Sequence, residues 1–288
     1  MIRFAVMSDI HVQDWDLESQ DRLISALLDY GSLPQPPSVI VINGDLTEGH
    51  DEDYSTLLRL LAAHAPCPVY VTIGNHEYYR MWYQQLPSRK WSMDTFPNGW
   101  SSRQALKLFL DRFQLHAPYY DKWLHGYHFI FLGGECYRDD AEGMTEHAWL
   151  SDDQLAFLGQ KLLENSGESE AGSRKPVFVF LHQPLEEVMQ RERLERLLSA
   201  HPEVILFAGH THHQLLNRGT YLAGQGGFAR LNSSSIRRPW SELDVPLSGS
   251  ISESLLVEVR DGEVRMKGRR HDKRAWLAQA SFIQSAAP

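Results

Sequence analysis

The sequence predicts an α/β layered sandwich, on three observations. Six short apolar runs, rich in β-branched and aromatic residues, recur between residues 2 and 208. Stretches of helical periodicity lie between them, and Pro, Gly, Asn or Asp bound most of the runs. Alternation of this kind covers both faces of a largely parallel sheet with helices.

The predicted strands, in order, are IRFAVM (2–7), SVIVIN (38–43), PVYVTI (68–73), YHFIFL (127–132), PVFVFL (176–181) and EVILFA (203–208). The first predicted helix, LESQDRLISALLDYG (17–31), ends on Gly31, read as a C-cap. EDYSTLLRLLAAH (52–64) and LEEVMQRERLERLLSAH (185–201) are two more. SDDQLAFLGQKLLENSG (151–167) opens with Ser151 as N-cap and an acidic first turn.

Two regions break the rhythm. Residues 78–126 are crowded with aromatics, among them Tyr78, Tyr79, Trp82, Tyr83, Trp91 and Trp100. They are too many for a plain connection and read as an aromatic-rich cap or substrate wall, or as a satellite core under a long loop. Residues 253–271 alternate around Asp261-Gly262 and read as a C-terminal hairpin. SGESEAGSR (166–174) reads as a solvated loop. The organisation expected is a single domain over 1–271, followed by a C-terminal tail, 272–288, fraying from about Ala278.

Bulk composition narrows the function. The chain has 288 residues, 42% hydrophobic and 23% charged, as expected of an ordinary globular protein. A net charge of -9 argues against a broad nucleic-acid surface, but not against a small phosphorylated substrate held through a cation. Cys67 and Cys136 sit in no CxxC and read as reduced thiols. The N-terminus enters a strand directly, and no apolar stretch approaches ~20 residues, so a cytoplasmic location and no membrane partner are expected. A homodimer is left open.

Nearly every predicted strand ends in a chemically loaded group. SDIH carries Asp9 and His11; NGD carries Asp45 behind a glycine; GNH carries Asn75 and His76. FLHQP carries His182, and FAGHTHHQ carries His210, His212 and His213. Each alone has an ordinary reading, as a turn cap, a tight turn or a buried strand-end histidine. Together they should share one rim, because ligands of open α/β sheets bind beyond the carboxyl ends of the strands. Side chains at i and i+2 leaving a strand project to one side, so His210 and His212 could converge on one point, with His213 facing away. Asp, His and Asn without thiolate suit Mn²⁺, Fe²⁺ or Zn²⁺. Six or seven ligands exceed what one ion with an open position needs. Two ions, roughly 3.5–4 Å apart and bridged by a carboxylate, fit better.

The ordered set D-x-H, GD, GNH, H and GHxH, from Asp9 to His212, resembles the calcineurin-like metallophosphoesterases. With Glu77 after His76 it stays within the pattern of class III cyclic-nucleotide phosphodiesterases. The resemblance implies a four-layer αββα sandwich and a centre of two divalent metal ions. It implies that Asp9, His11 and His212 hold one ion, that Asn75, His182 and His210 hold the other, and that Asp45 bridges. His76 would serve as the catalytic acid for the leaving oxygen. Glu77 either orients His76 or caps the next helix. His213 is read as a surface group or one supporting the ligands, and His50 as a solvated loop histidine. His64, His116, His125, His128, His147, His201 and His271 are read as structural.

The expected function is therefore a metal-dependent hydrolase of a small phosphodiester, of cyclic-nucleotide or glycerophosphodiester type. A phosphomonoesterase is the alternative; GDLTEGH lacks the Arg of the GDxVDRG motif usual in protein phosphatases. A nuclease is disfavoured by the acidic charge. A scaffold that kept the fold but lost its metals should lack ligands, and none is missing.

Overall fold

The computed structural model describes every residue except 85–87, 141–142, 165–173, 225–226, 261 and 286–288. Its strands are β1 (Ile2–Met7), β2 (Val39–Asn43), β3 (Val69–Thr72), β4 (Tyr120–Leu124), β5 (Tyr127–Phe131) and β6 (Val177–Phe180). They continue as β7 (Val204–Ala208), β8 (Tyr221–Leu222), β9 (Ala229–Asn232), β10 (Glu253–Arg260), β11 (Glu263–Arg270) and β12 (Ala275–Ser285). The α-helices are α1 (Leu17–Gly31), α2 (Asp51–His64), α3 (Ser102–Phe113), α4 (Asp152–Leu163) and α5 (Arg191–Ser199). Among the described residues no helix is long and apolar enough to cross a membrane.

The strands form two mixed six-stranded sheets, in the orders β12-β11-β10-β1-β2-β3 and β4-β5-β6-β7-β9-β8. Period-two alternation sorts their side chains into three cores. Phe4, Val6 and Val41 of the first sheet meet Phe129, Phe178, Phe180 and Phe207 of the second. On the outer face of the first sheet, Ala5, Met7, Ile40 and Ile42 pack on Leu23 and Leu27 of α1, Leu57 of α2 and Phe109 of α3. On the outer face of the second, Ile130, Val179 and Leu206 pack on Leu158 of α4 and Leu194 and Leu198 of α5. Helix, sheet, sheet, helix: this is the four-layer αββα sandwich.

Several expectations are corrected. The expected tail, 272–288, instead contributes β12, the outermost strand, paired antiparallel with β11. Residues 78–126 are not one inserted cap: α3 belongs to the outer helical layer and β4 to the second sheet, while Tyr78 and Trp82 are buried in the core. The 185–201 helix is split into a 3₁₀ turn, Leu185–Glu187, and α5. Gly31 is the last residue of α1, with Ser32 as its cap. Ser151 caps α4 as expected, accepting a bond from the Gln154 N–H. The 166–174 loop, apart from Arg174, and Asp261 of the hairpin turn lie outside the described residues.

One buried network ties the outer edge of the first sheet to its helix. Asp29 of α1 accepts two hydrogen bonds from Arg269 (2.8 and 2.6 Å) and one from His271 Nδ1 (2.8 Å). Ser254 Oγ joins His271 Nε2 (2.8 Å) to the Tyr30 hydroxyl (2.7 Å). Burial opposes the charge of Asp29, but Arg269 and His271 outweigh it and hold the carboxyl at about 2. An aspartate depressed in the folded state stabilises fully above its unfolded value. That stabilisation is lost as pH falls from 3.8 through about 2. Asp29→Ala, which strands a buried guanidinium, should cost about 3–5 kcal/mol in urea unfolding at pH 7. The difference from wild type should shrink near pH 2; a pH-independent difference would show that charge is not what Asp29 contributes.

Candidate metal centre

The candidate residues come from both sheets. Asp9 and His11 follow β1, Asp45 follows β2, and Asn75 and His76 follow β3; His182 follows β6, and His210 and His212 follow β7. Asn43, the last residue of β2, joins the sheets where these loops begin. Its Nδ2 donates to Leu181 O (3.2 Å) and Phe207 O (3.1 Å) of the second sheet. Its Oδ1 accepts from Thr72 Oγ1 (2.8 Å), and its carbonyl accepts from Ser8 Oγ (2.8 Å) and His182 Nδ1 (2.7 Å). Two glycines permit the approach. A Cβ on Gly44, at φ +79°, would lie 2.4 Å from the His182 ring, and one on Gly209 would lie 1.9 Å from Ser8 Oγ.

Asp9 (φ 53°), His11 (44°), Asp45 (50°), His210 (67°) and His212 (55°) all adopt left-handed backbone. For residues with a Cβ this conformation costs roughly 1–2 kcal/mol each. It persists because the loops bond one another. Ile10 and His11 N–H donate to Asp45 O (3.0 Å each), Arg237 N–H to Asp9 O (3.0 Å), and His210 N–H to Asp9 Oδ2 (3.1 Å). Five of the eleven non-glycine residues with left-handed backbone among the described residues thus meet at one rim, and such strain clusters at functional sites.

Two groups of these side chains share Asp45, namely Asp9, His11, Asp45 and His212, and Asp45, His182 and His210; a third joins His11 and His76 to Glu48. Asn75 joins the second group through Oδ1, 2.9 Å from His210 Nδ1. His210 and His212 thus enter different groups, correcting the convergence that strand alternation suggested: both residues lie beyond β7, in left-handed turns.

Imidazole orientation is fixed from behind. His182 Nδ1 bonds Asn43 O, His212 Nδ1 bonds Arg238 O (3.1 Å), and His11 Nδ1 bonds Glu48 Oε1 (3.0 Å). Each therefore presents Nε2 to the interior, the arrangement by which backbone carbonyls and carboxylates orient metal-binding histidines. His210 is held the other way round, with Nε2 on Glu187 (2.9 Å). His182 Nε2 lies 3.1 Å from Asp45 Oδ2, and His212 Nε2 lies 3.0 Å from Asp9 Oδ1. Even so, the buried atoms His182 Nε2 and Asp9 Oδ1 form no hydrogen bond. Buried oxygen and nitrogen donors converging without hydrogen bonds fit a divalent cation. The field fits as well. Burial opposes charge on His182, but Asp45 and Asp9 outweigh it and raise its pKa to about 9.

His76 stacks on Tyr79, with ring centres 3.7 Å apart, and its Nδ1 lies 2.9 Å from the same Glu48 oxygen that holds His11. Its Nε2 faces Asp45 Oδ2 at 3.9 Å. Glu77 neither orients His76 nor caps a helix. Its carboxylate takes the N–H groups of Leu46 (2.8 Å), Thr47 (2.9 Å) and Gly74 (2.7 Å), pinning the Asp45 loop to the Asn75 turn. His213 bonds Asp244 (2.8 Å) on the surface. His50 is not a solvated loop residue: it is half-buried at the N-cap of α2, edge-on to Tyr83.

Sequence reasoning missed Asn43, Glu48, Glu146 and Glu187. Glu48, three residues past Asp45 and nearly buried, had a signal in its spacing. Glu146, which accepts from Asn75 Nδ2 (2.9 Å), had none, since it arrives on an irregular loop.

Two substitutions test this construction. Asn43→Ala leaves the carbonyls of Leu181 and Phe207 and the Thr72 hydroxyl without their partner, at about 1–3 kcal/mol for each unsatisfied group in urea unfolding. Glu48→Gln should unfold like wild type yet bind divalent metal about 10–100-fold more weakly. Unchanged affinity would remove Glu48 from the centre.

The family described as calcineurin-like phosphoesterase matches residues 2–214. Among curated proteins none matches the chain. Solved structures similar to it include a predicted phosphoesterase from Streptococcus pneumoniae, 14% identical, TM-score 0.42, covering 99% of this chain and 97% of that one. Zinc-complexed Vps29 from Entamoeba histolytica is 12% identical, TM-score 0.39, covering 99% of each chain. A hypothetical protein from Pyrococcus horikoshii is 11% identical, TM-score 0.44, covering 100% of this chain and 88% of that one. With a family match across most of its length, the chain belongs to the calcineurin-like phosphoesterases.

Proposed function

We propose that the protein hydrolyses a small phosphodiester, of cyclic-nucleotide or glycerophosphodiester type, with two divalent metal ions. The observation that carries this reading is the pair of side-chain groups sharing Asp45. Asp9, His11 and His212 would hold one ion and Asn75, His182 and His210 the other, with Asp45 common to both. Two such cations supply charge to neutralise phosphoryl oxygens and lower the pKa of water.

The chain's own groups supply the rest. Glu48 holds the His76 ring by Nδ1, so Nε2 is the atom free to carry a proton to the leaving oxygen. Burial opposes charge on His76, yet Glu48 and Asp45 outweigh it and raise its pKa to about 10 in the metal-free protein. Tyr79 stacked on the ring limits its rotation. A diester is favoured over a monoester because two arginines tied to the rim are already neutralised. Arg237 pairs with Asp16 (2.9 Å) and Glu18 (3.1 Å), and Arg138 pairs with Glu146. Neither offers a spare guanidinium to a second phosphoryl charge.

The test compares hydrolysis of bis(4-nitrophenyl) phosphate and 4-nitrophenyl phosphate by protein loaded with Mn²⁺, Fe²⁺ or Zn²⁺. The diester should be preferred by at least about tenfold in kcat/KM, about 1.4 kcal/mol. A preference for the monoester would establish a phosphomonoesterase instead. His76→Ala should lower kcat by ~10²–10⁴ for alkoxide leaving groups and far less for 4-nitrophenolate. Equal losses would take His76 out of the acid role.

A further inference from the structure

Beyond the 3₁₀ turn His76–Trp82, the chain folds back towards the start of α2. Asn98 latches this excursion, donating from Nδ2 to Arg80 O (2.8 Å) and Tyr83 O (2.6 Å). Arg89 latches it again through Asp14 (2.7 Å) and Glu52 (3.1 Å). Here lies a cavity of about 400 Å³, lined by His50, Glu52, Arg80, Tyr83, Arg89 and Trp100, among others. It adjoins the metal centre: the Tyr83 hydroxyl on its wall donates to Glu48 (3.3 Å), the residue that holds His11 and His76.

The lining offers donors that lack acceptors. Arg89 is neutralised by its two carboxylates. Arg80 is not. Its guanidinium lies 3.8 Å over the Trp100 ring, and among the described residues no carboxylate pairs with it. Trp100 Nε1 and His50 Nε2 are buried and make no hydrogen bond. An indole N–H can only donate, and a guanidinium has no acceptor at all. Burial is the main cause that pushes His50 down to about 4, with the charges of Arg89 and Arg80 adding to it and those of Glu52 and Glu48 opposing. A ligand that completes Arg80 and Trp100 must offer acceptors, and the charge of Arg80 favours a negative one.

We propose that this cavity binds an anionic group, carboxylate or phosphate, on the part of the substrate that does not react. The proposal rests on the hydrolase reading for the word substrate; the anion site itself does not. Holding a remote charge there fixes the scissile ester against the metal rim, so the cavity sets which phosphodiester is preferred.

Calorimetric titration of EDTA-treated protein with inorganic phosphate and, separately, with acetate tests the site without turnover. One of the two should bind. Arg80→Met and Trp100→Phe should each weaken that binding by about tenfold or more, the scale of a lost charge-assisted bond. Trp100→Phe keeps the ring and removes only the N–H, and thermal unfolding checks that both variants fold. The arm that binds identifies the anion. With metal-loaded protein, two 4-nitrophenyl diesters differing only by a remote anionic group should differ in kcat/KM, the charged one being preferred. In Arg80→Met that preference should fall by about tenfold. Absence of binding by wild type, or equal binding by wild type and both variants, overturns the proposal. Anion binding that follows Arg80 while no diester is hydrolysed would overturn the hydrolase reading and leave the anion site standing.

Discussion

One buried side chain, Asn43, sets the relation between the two sheets at the edge where the site is built. Its amide nitrogen reaches two carbonyls of the second sheet, and its oxygen and carbonyl collect Thr72, Ser8 and His182. The aromatic inter-sheet contacts of Phe4, edge-on to Phe129 and Phe178, hold the sheets together but do not reach the strand ends. The Asn43 bonds are directional. They place the ends of β2, β6 and β7 within one side chain of each other, and Asp45 follows two residues later.

That placement explains the strain. The two sheets approach so closely beyond their strands that the chain must turn sharply as it leaves each one. Glycine provides the close contact at Gly44 and Gly209. The candidate ligands must accept left-handed backbone, because glycine has no ligand to offer. Inter-loop bonds such as those to Asp45 O offset the cost. The carboxylates then act at two depths. Asp9 and Asp45 face the interior, while Glu48 orients imidazoles from behind, and Glu77 holds no imidazole and pins backbone instead.

How much of this was legible in the sequence follows from period and range. The six apolar runs gave six strands within about a residue, because a strand buried on both faces needs an uninterrupted apolar run. The strand β12 carried no such run: its exposed edge mixes Trp276, Gln279 and Ser281, so it read as a tail. Helix α3 was hidden inside an aromatic stretch whose composition suggested a cap. The seven candidate residues were legible because each sits next to a strand end. Glu146 was not, because an irregular loop brings it in from far along the chain, and Glu187 was not, because the 3₁₀ turn that carries it read as the start of a long helix. His50 looked solvated in sequence, and only the fold-back at Tyr83 buries it.

The account stands on Asp45 serving two sites at once. Elemental analysis of protein loaded with Mn²⁺ and freed of excess metal measures this most directly, in wild type and in Asp45→Ala. Two ions per chain in wild type, with neither site retained in the folded variant, is the predicted result. A limit of one ion in wild type, or two ions retained without Asp45, would contradict it.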